Sequence, residues 1–550
     1  MIRKTVQRTI RRVPRVLIDT TTGRLIEKTE QASAFESLPV FNELVSSMTT
    51  RIDRNRIKHE VRQFFRYAML SHTWEANEPL FQQVIRIAVY DLNSSPTHDK
   101  LQMFCKIVRD AGFDWAWSDT CCINKEDHFV LQEALVAMFK WYRGSSLTLV
   151  FLRGVFSPPR PGDLARSLWN TRAWTFQEYV AAKVVRFYTE DWTPYLDLET
   201  WNHKSSPEII LEMEQATRVS AQHLIALRRG LSNIREKLRL ASTRRTTLVE
   251  DAAYSLLGIF SISGVPTIYG EGEDALGRLL AHILSGSGDT SILAWIGESS
   301  SYNSCLPAHI TVFKRPATSH LPLPIEDNSL ERIVTSLRTP LLDLDLAVRL
   351  YNRLNDLPAP WFAASRMKLP CLAFKLPPIS PFRGRSNLVY RVETPTFGLV
   401  MVETKADLSR LKSLYLVHPW LDSLLDREDI QNGEFEDDDA ASSSNSTDDE
   451  DSSDEEIDDT APPPQVSKQK PASSRPAIVD TGPIDRETRA LRLIARLRQP
   501  FGALLLTPVS TRRGKVVYKR VAADSIVTVC IGEDVPLTDL LDNVRTLDVL

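Results

Sequence analysis

Glu178 is the residue of this 550-residue chain whose type and spacing most directly suggest chemistry. It follows Trp174 by four positions in RAWTFQEYVAA, a stretch whose pattern predicts a helix. The two side chains then share one helix face and could border one pocket. A carboxylate held in that way can stabilise a developing cation, grip a hydroxyl or attack an electrophilic carbon. Ser71, Trp74, Asp119 and Asn124 fall in turns after two predicted strands, and ligands of open α/β sheets bind at such carboxyl ends. Plainer roles stay open for each. Asp119 and Ser71 are common turn and N-cap residues, Asn124 can hold a loop backbone, and Trp174 can be packing. Glu178 itself could cap a neighbouring helix or pair with Arg172.

Other chemistries lack their residues. His72 stands beside Ser71 without completing a triad, and no G-x-S-x-G elbow occurs. Walker A is absent, and no G-x-G-x-x-G follows a strand. Six cysteines without a C-x-x-C pair argue against a disulfide framework and against a structural zinc site, so no metal is expected. Cys121 and Cys122 have no evident activating partner and read as small buried groups. No apolar run reaches the ~18–20 residues that span a bilayer.

The elements that would position these residues alternate. FRYAMLSHTW ends a short apolar strand in a polar turn, and Leu80, Val84, Ile87 and Ala88 fit one helix face after Pro79. Leu101, Phe104 and Val108 mark a second helix that Gly112 can end. A strand over about 113–118 leads into Asp119. Leu131, Leu135, Met138 and Tyr142 form a helical stripe that reads as core, and SSLTLVFL reads as a strand buried on both faces. The helix bearing Glu178 and the strand KVVRFYT follow. This rhythm predicts a parallel sheet flanked by helices.

Residues 205–290 read as helical, and beyond 295 short β-like runs are separated by prolines. Between Glu434 and Asp459 stand 14 acidic residues and no basic ones, so the apparent net charge of −3 hides an otherwise basic chain. Such a body could meet polyanions or its own acidic segment, or simply carry a solvated surface. The acidic segment cannot bury enough apolar surface to fold. Its Ser446, Thr447, Ser452 and Ser453 each precede an acid by three positions, a context for acidophilic phosphorylation beside the plainer reading of a solubilising linker. The first 15 residues are basic, with Ile2, Val6, Ile10 and Val13 at helical spacing; a partly disordered tail is expected, with a mitochondrial presequence as the alternative.

Three blocks resemble the heterokaryon-incompatibility (HET) domain of fungal proteins: YAMLSHTW (67–74), WSDTCCINKEDHFVLQEALVAMFKWYRGSSLTLVFL (117–152) and WNTRAWTFQE (169–178). Arg244–Leu276 and GDTSILAW (288–295) resemble the helical region that accompanies it. One departure is Lys125, where the family often has Gln. The resemblance implies non-self recognition with programmed cell death. It also implies a distant likeness to TIR domains, flavodoxin-like parallel sheets of which several cleave NAD through a glutamate in a W-x-x-x-E pattern. Trp174 and Glu178 match that pattern. The implied roles are Glu178 as catalytic carboxylate, Trp74 or Trp174 stacking on adenine or nicotinamide, and Asp119 or Asn124 holding ribose hydroxyls, with Ser71 in the same site.

The expected organisation is an N-terminal extension (1–60), a TIR-like α/β HET domain (61–200) and a helical HET-associated region (201–300). A β-rich C-terminal domain follows in two parts (301–433 and 483–550), interrupted by an acidic insert or linker (434–482). Residues 483–550 as a separate domain is the alternative. The implied protein is cytoplasmic, with no membrane or specific nucleic-acid binding and no firmly implied cofactor, NAD entering as a substrate. Two function classes stand open: a self-associating NAD glycohydrolase, and a non-enzymatic oligomerising signalling module.

Overall fold

The computed structural model describes residues 1–47, 53–197, 200–225, 230–314, 327–338, 343–382, 388–411, 413–420, 485–510 and 515–550. The acidic segment and its four candidate phosphorylation sites lie outside the described residues.

The first sheet has six strands: β1 (Val16–Asp19), β2 (Leu25–Glu27), β3 (Tyr67–Ser71), β4 (Trp115–Trp117), β5 (Leu147–Phe151) and β6 (Val185–Tyr188). Their order is β2-β1-β4-β3-β5-β6. The last four are mutually parallel, whereas β1 pairs antiparallel with β2 and with β4. Within the parallel part the chain starts at β3, moves out to β4 and returns across β3 to β5, so strand order reverses beside β3. Side chains placed after β3 therefore face the crevice where the crossover helices diverge. The expected buried strands are present, and every residue of β3, β4 and β5 is buried.

The crossover helices follow from local chemistry. Pro96–Asp110 begins with Ser95, whose hydroxyl accepts the His98 amide, and with Pro96 in the first turn, where a missing amide hydrogen costs nothing. His128–Gly144 is capped by Asp127, which accepts the amides of Phe129 and Val130, and it buries Leu135, Met138 and Tyr142. Trp174–Ala181 carries Glu178 and precedes β6. The helix expected from Leu80 to Ala88 shortens to Phe81–Val84 followed by a 3-10 turn at Val89–Asp91. Only Val84 of the short helix is buried, and Ile85 and Ile87 are exposed, so no apolar face holds a longer helix together.

The N-terminal segment departs from the expected disordered tail. Ile2–Ile10 is a helix whose Ile2, Val6 and Ile10 are buried, and β1 and β2 extend the sheet. The same spacing that resembled a presequence serves as an amphipathic docking face.

Between residues 207 and 287 the described residues form the helices Pro207–Thr217, Ala221–Ile225, Ile234–Ser242, Asp251–Leu257 and Asp274–Ser287, joined by turns. Gly258 lies so close to Phe139 that an added Cβ would overlap that side chain, which locks this region to His128–Gly144.

The C-terminal region contains β7 (Trp361–Ala363), β8 (Arg366–Lys375), β9 (Ser380–Phe382), β10 (Leu388–Thr394), β11 (Gly398–Thr404), β12 (Tyr415–Pro419), β13 (Phe501–Ser510), β14 (Val516–Arg520), β15 (Val527–Val529) and β16 (Val544–Val549). Strands β8, β12, β13, β14 and β16 pair in a closed ring, because β12 bonds to β8 as well as to β13. Closure leaves those strands without a free edge. Strands from both sides of the acidic segment thus share one sheet. Helices Leu344–Asn355 and Arg486–Leu497, which the proline-spaced β pattern did not suggest, bury Leu350, Leu354, Leu493 and Ile494 in the same core as β10 and β11. Arg520 on β14 joins this region to the preceding segment. Its guanidinium donates to the carbonyls of Leu293 (2.8 Å) and Trp295 (2.9 Å) and lies over the Trp295 ring.

Candidate functional site

Ser71 closes β3, and Glu178 sits near the middle of Trp174–Ala181; the fold brings them into contact. The Ser71 hydroxyl donates to Glu178 Oε2 at 2.5 Å and accepts from the Trp169 indole at 2.8 Å. Ser71 and Glu178 are 1% and 4% exposed, so this is a closed contact rather than an open cleft. Tyr142, whose hydroxyl donates to the Leu70 carbonyl (2.8 Å), flanks Glu178 on the helix His128–Gly144. Burial, reinforced by the nearby Asp119 charge, pushes the Glu178 carboxyl up to about 8 against the opposing pull of Ser71, Arg244 and Arg172. At neutral pH it is therefore mostly protonated.

The anticipated Arg172 pairing is replaced. Arg172 reaches Thr247 (3.2 Å), and the cation nearest in effect to Glu178 is buried Arg244. Arg244 Nη1 donates to the Arg172 carbonyl (2.9 Å) and to Thr175 Oγ1 (2.8 Å), while Nε and Nη2 have no partner. Burial pulls this guanidinium down to about 10, with Glu178 opposing.

A second group forms from the turns after β3 and β4. Trp74 donates its indole N–H to Asp119 Oδ2 at 2.7 Å, and His72 Nε2 meets Asp119 Oδ1 at 3.1 Å. Lys125 Nζ lies 3.5 Å from the centre of the Trp74 ring and has no hydrogen-bond partner. Burial opposes the Asp119 charge, yet His72, Lys125 and Trp74 together hold its carboxyl below the usual range. Burial lowers the Lys125 ammonium, with Asp119 opposing. Behind this group, His72 Nδ1 lies 3.7 Å from Glu78, which also receives Lys100 (2.5 Å). Lys100 further contacts Glu75, and Glu75 contacts Arg153. Arg153, Glu75, Lys100 and Glu78 alternate in charge from the surface inward, and His72 links Glu78 to Asp119, fixing the turn that carries Ser71 and Trp74.

Two sequence candidates face elsewhere. The Trp174 indole and the Tyr269 hydroxyl both serve Asp251 of the helical region, so Trp174 joins the two regions rather than sharing a pocket with Glu178. Asn124 Oδ1 accepts from Gln82 (2.8 Å) and from the Glu126 amide (3.2 Å), holding its own loop. Sequence reasoning missed Tyr142, Trp169 and Arg244 as neighbours of Glu178. Tyr142 was legible only as core, and Arg244 is brought in from 66 positions downstream by the helical region. Cys121 and Cys122 are buried and free. Among the described residues no cluster of three or more metal-ligating groups is present, and no helix is long and apolar enough to cross a membrane.

With this geometry in view, the comparisons are informative. The family profile described as heterokaryon incompatibility protein (HET) matches residues 67–157, from the start of β3 to just beyond β5. Over that span, a minor part of its length, the chain is similar to the HET domain. It is also 33% identical over 228 residues to the vegetative incompatibility protein HET-E-1 of Podospora anserina, an alignment covering 39% of this chain and 16% of that relative. The chain therefore spans only a small part of the relative's length. No solved structure matches it. The matched HET segment holds Ser71, Trp74, Asp119 and Asn124, whereas Glu178 and Arg244 lie beyond it.

Proposed function

We propose that this chain acts in heterokaryon incompatibility and cell-death signalling, and that its HET domain is a TIR-like NAD glycohydrolase with Glu178 as the catalytic carboxylate. The observation that carries the enzyme reading is the buried Ser71–Glu178 contact beside the strand-order reversal, with the carboxyl pushed up to about 8. Strongly shifted carboxyls at such sheet ends mark functional sites. The TIR-like reading is supported by the parallel order, outer strand β4, then β3, β5 and β6, which is the flavodoxin-like arrangement.

In this reading the pyridinium ring of NAD brings a positive charge to Glu178 and draws its proton away. The C1′–N bond breaks, nicotinamide leaves with the bonding pair, and the Glu178 carboxylate stabilises the ribosyl cation. Water adds at C1′ and passes a proton to the Glu178 carboxylate, restoring the acid, so the net products are ADP-ribose, nicotinamide and the one proton released on binding. Ser71, polarised between Trp169 and Glu178, orients the carboxylate. Self-association opens the closed site, so activity appears in clustered protein.

The closure over Glu178 favours a second reading, a non-enzymatic oligomerising module in which the Ser71–Glu178 contact is purely structural. Following NAD in purified, deliberately clustered protein separates the two. Wild type consumes NAD and Glu178→Gln does not. No loss in either sample removes the enzyme reading, and equal loss in both removes Glu178 from the mechanism.

A further inference from the structure

The Trp74 indole is held more firmly than an exposed side chain usually is. Its N–H is bound by Asp119, Asp119 is bound by His72, and Lys125 covers one ring face at 3.5 Å, yet the residue stays 44% exposed. Lys125 takes one ring face, so a ligand stacking on this partly exposed indole, just after the carboxyl end of β3, would use the other. The buried Thr73 hydroxyl next to it also has no partner.

An aromatic face attracts cations through its negative quadrupole. Here an ammonium already occupies one face and neutralises part of that attraction. The opposite face is then a poor seat for a pyridinium and a good one for a neutral, electron-rich ring. From the cation-backed indole we infer that Trp74 is the stacking platform for the adenine base of a nucleotide, with the nicotinamide end directed to Glu178. This assignment rests on the NAD reading above and deepens it, fixing which end of the dinucleotide each group receives. Trp174 is excluded as the platform because Asp251 and the helical region engage it. Lys125 has a role that the Gln often found at this family position could not supply.

The test is calorimetric titration of the full chain, clustered as for the NAD measurement, with adenosine monophosphate and, separately, nicotinamide mononucleotide. Base–aromatic stacking is worth ~1–3 kcal/mol, so Trp74→Leu is expected to weaken adenosine monophosphate binding roughly 5- to 150-fold. Nicotinamide mononucleotide binding should be unchanged by it. Trp74→Phe, which keeps an aromatic face, should restore most of the lost affinity, and thermal melting of both variants confirms that they fold. Lys125→Gln should shrink the preference for adenosine monophosphate over nicotinamide mononucleotide. The inference is overturned if wild type binds no adenosine monophosphate, if Trp74→Leu binds it as wild type does, or if that variant weakens both ligands equally. NAD consumption by wild type and Glu178→Gln is read separately. Failure of the platform with NAD loss intact leaves catalysis standing, and the converse result leaves the platform standing.

Discussion

The two main sheets of this chain handle polar groups in opposite ways. In the C-terminal ring the buried faces of β8, β12 and β13 are filled by residues such as Leu369, Leu372, Leu416, Val417, Leu505 and Leu506. Its buried polar exceptions are isolated. His418 packs edge-on against Phe501, and Asp548 is paired with Lys368 and Lys515. In the HET sheet the centre is equally apolar, but Ser71, His72, Thr73, Glu78, Lys100 and Glu178 are buried together around the carboxyl ends of its parallel strands. Burying polar groups costs stability unless every partner is supplied, and here Thr73 Oγ1, His72 Nδ1, Lys125 Nζ and two Arg244 nitrogens lack one. The C-terminal ring also leaves His418 Nδ1 and Asp548 Oδ1 without partners, so what distinguishes the first sheet is how many buried polar groups gather at one end.

The sharpest way to break this contrast is Lys100→Met. The Lys100 side chain is 2% exposed, and its removal leaves buried Glu78 without its cation and Glu75 with only the half-exposed Arg153. A loss of about 3–5 kcal/mol is expected for an uncompensated buried charge, read as a fall in melting temperature. A near-neutral result would mean that the alternating charges do not support the turn bearing Ser71 and Trp74.

The contrast should also appear as opposite pH responses. Glu178 has a folded value raised to about 8 from 4.5, so between those limits the folded state holds a proton that the unfolded chain has lost. Its contribution is complete below about pH 4.5 and disappears as pH rises through 8. His418 is lowered by burial to about 4 from 6.5, so the unfolded chain takes up the extra proton between those limits. Its contribution is complete above pH 6.5 and is lost as pH falls through 4. Regional hydrogen exchange should therefore show the HET sheet loosening toward alkaline pH and the C-terminal ring loosening toward acid. Glu178→Gln should flatten the first response and leave the second unchanged. The same direction in both regions would contradict the contrast.

How much of this was legible in the sequence differs between the regions for physical reasons. In the HET sheet, strands buried on both faces announce themselves as continuous apolar runs such as SSLTLVFL, and turn residues mark where each strand ends. Ser71, Trp74 and Asp119 could therefore be placed at the carboxyl ends. Their partners could not. Contacts such as Ser71 with Glu178 and Arg244 with Thr175 join distant segments, and nothing in local spacing encodes them. Trp174 misled because i, i+4 spacing places two residues on one side of a helix without saying which neighbour each meets; its indole found Asp251. In the C-terminal region, prolines and β-branched runs drew the reading toward strands. The stripe of Ala347, Leu350, Tyr351 and Leu354 is a helical signal of equal clarity.

Trp174→Phe gives the smallest expected effect. It removes the indole N–H bond to Asp251 while keeping an aromatic ring, so a loss of about 1 kcal/mol in melting stability is expected, with nucleotide binding unaltered. A large fall in binding would return Trp174 to the site.

The most direct measurement is the titration of the Glu178 carboxyl itself. Carbon-13 NMR of glutamate-labelled full-length protein, with the resonance assigned by its absence in Glu178→Gln, reads the protonation state without any substrate. The expected midpoint is about 8, as a buried carboxyl beside Ser71 and Asp119 requires. A midpoint near 4.5 would contradict it, because the sheet would then hold an ordinary ionised carboxylate at rest, and not the neutral acid that gives up its proton only when the pyridinium arrives.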